Sequence, residues 1–200
     1  MVFKFVAGRL RFSKQLTEVD RQVLIFVSLL NKLKIRYVIV SGYVAILFGR
    51  TRGTEDIDVF VEGMSREKFG RLFNLLKTKG YWILNTNQVD DAFDFLKSNL
   101  AIRIAKKDTV VPNFEIKFPK KELDFDAMRK RLEVIMNKKT LFVSPFEIQI
   151  PFKFWLGTEK DIEDAVHIYE LFKDNLNKKL MANVSTGLKV ERKMKEYGVK

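Results

Sequence analysis

The chain has no cysteine and a single histidine. The first absence removes disulfides, thiolate nucleophiles and every cysteine-ligated zinc site. The second removes paired-imidazole metal centres, and His167, between Val166 and Ile168 in a helical stretch, reads as structural. Long apolar runs are lacking as well: the longest, VLIFVSLL and YVIVSGYVAILF, are shorter or more interrupted than the roughly 20 residues of a membrane helix. The opening MVFKFVAGRLRF carries charges and lacks the apolar segment of a secretory signal. These absences predict a soluble, cytoplasmic protein with no membrane partner. No Pro/Gly/Ser-rich tract, low-complexity stretch or internal repeat suggests disorder or an array.

What the chain has in excess is basic charge. Lys and Arg number 37 against 25 Asp and Glu, a net charge of +12. Such a surface attracts phosphate, so nucleic acid, nucleotide or an acidic partner is expected, against the plainer reading of a solvated basic surface. The Lys/Glu-rich, cysteine-free composition fits a thermophile. Two hundred residues, 46% hydrophobic and 31% charged, suit one globular domain with a helical extension, and the eighteen phenylalanines read mainly as core.

Apolar spacing predicts an amphipathic helix from Leu16 to Lys34, with Thr17 and Asp20 as caps, and another from Ser65 to Gly80. Strands are expected in RYVIVS, EDIDVFVE, YWILNT, LAIRIA, NFEIKF and TLFV, with short helices in YVAILFG and DDAFDFLKS and a longer one in KKELDFDAMRKRLEVIM. SPFEIQIPFKFWLG reads as a helix kinked at Pro151, opened by a capping box of Ser144, Pro145 and Glu147. Interleaved strands and helices followed by helices alone predict an α/β (α+β) fold: a core over residues 1–120 with a mixed sheet flanked by helices, then a mainly helical basic region over 121–200.

The stretch VSGYVAILFGRTRGTEDIDVF concentrates the chemistry. Asp56 and Asp58, one residue apart in a strand, point to the same side. Two adjacent carboxylates near a core repel unless a cation neutralises them, and a hard divalent ion such as Mg2+ is the simplest resident. A third carboxylate is expected from a neighbouring strand: in FEIKF, Glu115 and Lys117 share one face while Phe114, Ile116 and Phe118 take the other, with Asp108 as the fallback. Gly42, ahead of a short helix, offers backbone N–H groups to a phosphate, and Ser41 adds a hydroxyl. The plain alternative for the acidic pair is a solvated strand. Asp124 and Asp126 have the same spacing but open a basic helix, where capping explains them.

These residues resemble the signature of the minimal nucleotidyltransferases of the DNA polymerase beta superfamily, and within it the abortive-infection (AbiEii) toxin-like branch. The matching positions are Gly42, Gly49, Arg52, Thr54, Asp56 and Asp58, with Ser41 standing where the first glycine of a pair is usual. A second, weaker similarity covers IQIPFKFWLGTEKDIEDAVHIYELF, through Lys153, Lys160, Asp161 and Asp164. The two cover roughly a quarter of the chain.

The resemblance implies transfer of a nucleoside monophosphate from an NTP to a hydroxyl acceptor, with RNA or tRNA as the expected acceptor. Two Mg2+ would be held by Asp56, Asp58 and Glu115. Ser41 and Gly42 would hold the phosphates, Arg52 would neutralise developing charge or else simply pair with a nearby acid, Thr54 would brace the loop, and Lys117 or Lys153 would touch triphosphate or base. Asp161 and Asp164 would serve packing or positioning. A toxin-like role with a cognate antitoxin or other protein partner follows from the same branch, and the basic C-terminal end would hold a polynucleotide or stand as a solvated terminal helix. The alternative is a catalytically inactive module that keeps the fold and binds nucleotide or RNA.

Overall fold

The structure, a computed structural model, describes residues 1–200. Nine strands form one mixed sheet in the order β1-β2-β8-β9-β3-β4-β7-β6-β5. The central strands are β3 (Tyr37–Ile39), β4 (Asp56–Val61) and β7 (Asn113–Lys117), followed outward by β6 (Ile102–Lys106) and β5 (Tyr81–Ile83). The expected α/β class is observed.

The sheet's two faces are covered unequally. On one side, α1 (Glu18–Lys32), α3 (Arg66–Thr78) and α4 (Val89–Lys97) bury Val23, Phe26, Leu72 and Phe93 against Ile57, Val59, Phe114 and Ile116. They belong to a cluster of 47 buried residues that also takes in Phe146, Ile150, Ala165 and Phe172 of the C-terminal helices, whereas a separate cluster around Val38 holds five: Val38, Ala127, Met128, Ile148 and Val184. The face that carries Val38 is roofed by α5 (Glu122–Arg129), α6 (Phe146–Leu156) and α8 (Lys178–Leu188), a partial cover that leaves Asp58 and Phe60 half-buried.

Local chemistry accounts for the element ends. Thr17 accepts from the Asp20 N–H (3.1 Å) and the Asp20 carboxylate accepts from the Thr17 N–H (2.8 Å), which closes a capping box on α1. Asp20 is fully buried and also accepts from the Tyr43 hydroxyl at 2.8 Å, tying α1 to the short helix α2 (Gly42–Leu47). Ser65 caps α3. Asp124 accepts from the N–H groups of Lys120 and Lys121 at the start of α5, the capping role expected of it, whereas Asp126 does not cap and pairs with Arg129 and Lys130.

Three expectations are corrected. KKELDFDAMRKRLEVIM is not one helix: α5 ends at Arg129 and LEVIM becomes strand β8 (Leu132–Met136), with Val134 and Met136 buried and Glu133 and Ile135 half-buried. A two-residue turn of Asn137 and Lys138, both at positive φ as such hairpins require, leads to β9 (Lys139–Val143). The region after residue 120 thus contributes two strands to the sheet, which spans the expected boundary. Second, an N-terminal hairpin, β1 (Lys4–Val6) and β2 (Arg9–Phe12), joins the sheet beside β8. Third, α6 does contain Pro151, but the capping box from Ser144 is not made. Pro145 stands at the N-cap without a side-chain bond, and Glu147 instead accepts from the Asn177 N–H at 2.8 Å.

Phe26 stacks on Phe114 at 3.9 Å between ring centroids, directly behind the strand that carries Glu115. Phe26→Ala is expected to cost about 3–5 kcal/mol of folding stability, measured by urea unfolding.

Candidate active site

Strand β4 reads DIDVFV. Ile57, Val59 and Val61 enter the large core, and Asp56, Asp58 and Phe60 therefore emerge half-buried on the thinly roofed face. β7 runs parallel to β4 in a register that sets Asp58 opposite Glu115 and Phe60 opposite Lys117. The sheet thus brings Glu115 beside Asp58, while Asp108 lies exposed between β6 and β7.

Lys117 bridges the pair, its Nζ 3.1 Å from both Asp58 Oδ1 and Glu115 Oε1, and Arg103 Nε donates to Glu115 Oε2 at 3.3 Å. The electrostatics show a need for positive charge. Burial raises the pKa of Asp58, with Glu115 and Asp56 adding to the rise and Lys117 opposing it. Burial acts on Glu115 the same way, but Lys117 and Arg103 outweigh it and hold its carboxyl below the ordinary value. Burial would lower Lys117, yet Asp58 and Glu115 together raise it. Hard oxygen donors that gather a cation in this way fit a divalent metal in kind. No three carboxylate or imidazole groups are already gathered into a metal cage, and Lys117 is the cation the pair holds.

The turn between β3 and α2 adjoins these acids, because the Val40 N–H donates to the Asp58 carbonyl at 3.0 Å. Ser41 adopts φ +61°, ψ −136°, a region that residues with a Cβ rarely occupy. This is where the resemblance has glycine. Gln149 of α6, 2% exposed, holds both polar groups of Ser41: its Oε1 accepts from the Ser41 N–H (3.2 Å) and its Nε2 donates to the Ser41 carbonyl (2.7 Å). Gln149 was not singled out in the sequence. The available signal was a polar residue four positions before Lys153, on the same side of a helix that is otherwise apolar there.

Arg52 and Lys153, expected at the nucleotide, meet at Asp164 instead. Asp164 lies on α7 (Glu159–Phe172) and is fully buried; it accepts from Arg52 Nε (3.0 Å) and Nη2 (2.7 Å) and from Lys153 Nζ (2.9 Å). Lys153 is also fully buried and its remaining bond goes to Asp161 at 2.9 Å, which withdraws it from a triphosphate. Arg52 gives its third contact to the Gly53 carbonyl at 3.0 Å. Arg50 pairs with Glu163 and lies 3.6 Å from Asp164. Three cations (Arg50, Arg52, Lys153) thus face three carboxylates (Asp161, Glu163, Asp164). Gly42 is part of this arrangement: a Cβ there would run into Arg52 Nη2. Thr54 braces the same loop, its hydroxyl donating to the Asp56 carbonyl at 2.7 Å. His167 is structural, its Nε2 3.2 Å from the Phe48 carbonyl.

A cleft of about 260 Å³ opens on the acidic face. Ser41, Asp58 and Lys117 stand among its walls, and Phe60, Ile148 and Phe152 supply apolar surface. Near its edge Phe152 stacks on the exposed Trp155 (5.4 Å between centroids), and Lys121 Nζ lies 5.5 Å above the Trp155 ring. No helix is long and apolar enough to cross a membrane.

No family model matches the chain, and no curated protein does. Solved structures do share its architecture. An antigenic nucleotidyltransferase-like protein from Paracoccidioides brasiliensis is similar with a TM-score of 0.52 at 17% identity, covering 92% of this chain and 95% of that one. The antibiotic-resistance factor ANT(2'')-Ia in solution gives 0.56 at 12%, covering 91% and 98%. Its crystal structure in complex with adenylyl-2''-tobramycin gives 0.55 at 13%, covering 88% and 99%. The fold is that of a nucleotidyltransferase.

Burial pushes the pKa of Asp164 up, but hydrogen bonds from Arg52 and Lys153 and attraction to both prevail and hold it below its ordinary 3.8. A carboxyl lowered in this way contributes stability that is complete above about pH 4 and is lost as the pH falls further. Asp164→Asn is expected to cost about 3–5 kcal/mol at neutral pH by leaving buried cations unpaired, and to remove that part of the acid dependence, measured by denaturant unfolding across pH 2–7. Ser41→Gly relieves a strain of about 1–3 kcal/mol against a glycine entropy cost of about 0.5–1, so thermal unfolding should show a net gain of about 1 kcal/mol.

Proposed function

We propose that the chain transfers a nucleoside monophosphate from an NTP to a hydroxyl acceptor. The reading rests on one observation: the parallel β4–β7 pair sets Asp58 beside Glu115, with Asp56 on the same face. Asp56, Asp58 and Glu115 would hold two Mg2+, which when bound supply acidity to the acceptor hydroxyl and charge compensation to the triphosphate. The acceptor oxygen bonds to the α-phosphorus, the bond to the bridging oxygen breaks, pyrophosphate leaves and the hydroxyl proton is released.

The chain's own groups would orient the reactants. The Gly42 N–H and the Ser41 hydroxyl would meet the phosphates beside Asp58, the Ser41 N–H being taken by Gln149, and Lys117, already within 3.1 Å of both acids, would meet a phosphate oxygen. The apolar cleft takes the flat body of a nucleoside and excludes water around it. The net charge of +12, with Lys121 and Trp155 near the cleft, favours a polyanion that stacks, and RNA, including tRNA, is the acceptor of that kind. The same charge would suit an acidic protein partner such as a cognate antitoxin, in keeping with an abortive-infection toxin-like role.

A second reading has its own support. Lys117 already neutralises Asp58 and Glu115, so a module that binds nucleotide or RNA without turnover would be stable without metal.

Incubation of the protein with each radiolabelled NTP, Mg2+ and total RNA separates the two. Label should enter RNA, and the Asp56→Asn/Asp58→Asn variant should fall by at least about 100-fold. Label entering protein would name a different acceptor class. Absence of transfer, together with Mg2+-dependent NTP binding that the double variant loses, would favour the non-catalytic module; absence of any binding would overturn the account of the acidic pair.

A further inference from the structure

We infer that Gln149 is a positioning residue for nucleotide binding: its amide holds the Ser41 peptide in the backbone conformation that sets the β3–α2 turn against Asp58. The inference rests on the proposed nucleotidyl-transfer reading of this site.

The argument begins with the conformation of Ser41. At φ +61°, ψ −136° a serine is strained, and such residues persist only where surrounding groups over-determine them. The turn's own side chain gives no help, since the Ser41 hydroxyl makes no capping bond. The bonds come from 108 residues away, where Gln149 grips both the N–H (3.2 Å) and the carbonyl (2.7 Å) of this one residue. A side-chain amide is neutral at every pH of interest and can donate and accept toward a single peptide in this paired way.

Gln149 is itself held. It is 2% exposed, so leaving its amide unpaired would be costly. It lies one helical turn before Lys153, and the two point the same way along α6. Lys153 fixes Asp164, which fixes Arg52, whose guanidinium lies against Gly42. One helix therefore secures the turn twice, directly at Ser41 and through Asp164 at Gly42. A glutamine needed only to fill space would have no reason to meet both polar groups of a residue whose backbone is strained.

The test is titration calorimetry of the full chain with ATP, GTP, CTP and UTP in Mg2+, using wild type, Gln149→Met and Gln149→Met/Ser41→Gly. Methionine keeps the volume and removes both bonds. Glycine adopts positive φ without strain, so it restores the turn without the amide. Gln149→Met should weaken the best NTP about tenfold, and adding Ser41→Gly should recover at least half of that loss on a logarithmic scale. A packing role would give no such recovery, so a double variant as weak as the single one overturns the inference. Gln149→Met binding like wild type overturns it as well, with the nucleotide site intact. If wild type binds none of the four, the reading of the site fails and the inference falls with it. Should Gln149→Met fail to fold by circular dichroism, Gln149→Asn, whose amide is one methylene too short to reach both polar groups of Ser41, takes its place with the same expected weakening and rescue.

Discussion

A carboxylate with no access to water must be surrounded by positive charge, and Asp164 meets that constraint with three cations drawn from two places. Arg50 and Arg52 come from the segment between α2 and β4, and Lys153 comes from α6. Buried ion pairs of this kind add little net stability over apolar packing, since desolvation offsets much of the attraction. What they add is position. An apolar substitute at Arg52 could fill the space, but it would have no preferred orientation against the Gly42 Cα. The bidentate contact to Asp164 supplies that orientation, and through it the C-terminal helices determine where the turn beside Asp58 sits.

The acidic face follows from a second constraint, the two-residue period of a strand. Because Ile57, Val59 and Val61 must enter the larger core, Asp56 and Asp58 have to emerge on the other face. Parallel pairing with β7 then sets Glu115 directly opposite Asp58, since Phe114 and Ile116 obey the same rule. Like charges at this spacing are unfavourable alone, and Lys117, two residues beyond Glu115 and therefore on its face, provides the first compensation. The thin roof over this side of the sheet leaves a cleft beside the acids where the other side is filled.

Those patterns are periodic, so they were legible in the sequence. DIDVFV and NFEIKF announced their strands, faces and acids, and α1 and α3 announced themselves by helical spacing and caps. What escaped was either short or non-periodic. β1 has no buried residue, so no alternation marks it. In β8 the series Leu132, Val134, Met136 was read as the tail of a helix, although Asn137 marks a hairpin turn. The motifs named Arg52, Lys153 and Asp164 without revealing that they join one another: Arg52 reaches Asp164 across 112 residues, and Lys153 reaches it from a different helix, so neither contact leaves a periodic trace. Gln149 was hidden for the same reason: its partners are backbone atoms, and any residue but proline at position 41 would present them.

The serine at position 41 illustrates how such hidden contacts alter the meaning of a motif. Glycine reaches positive φ freely but samples many other conformations, so a glycine turn loses more entropy when it is ordered. Serine samples fewer states and is strained in the one required, and alone it would relax away from it. With both its N–H and carbonyl held by a buried amide, that relaxation would break two hydrogen bonds in an apolar setting, which costs about 1–3 kcal/mol for each group left unpaired. That is comparable to the strain itself, so the held state is retained. The turn thus exchanges the intrinsic freedom of glycine for an external restraint, and its geometry becomes a property of α6 as much as of the residues that form it.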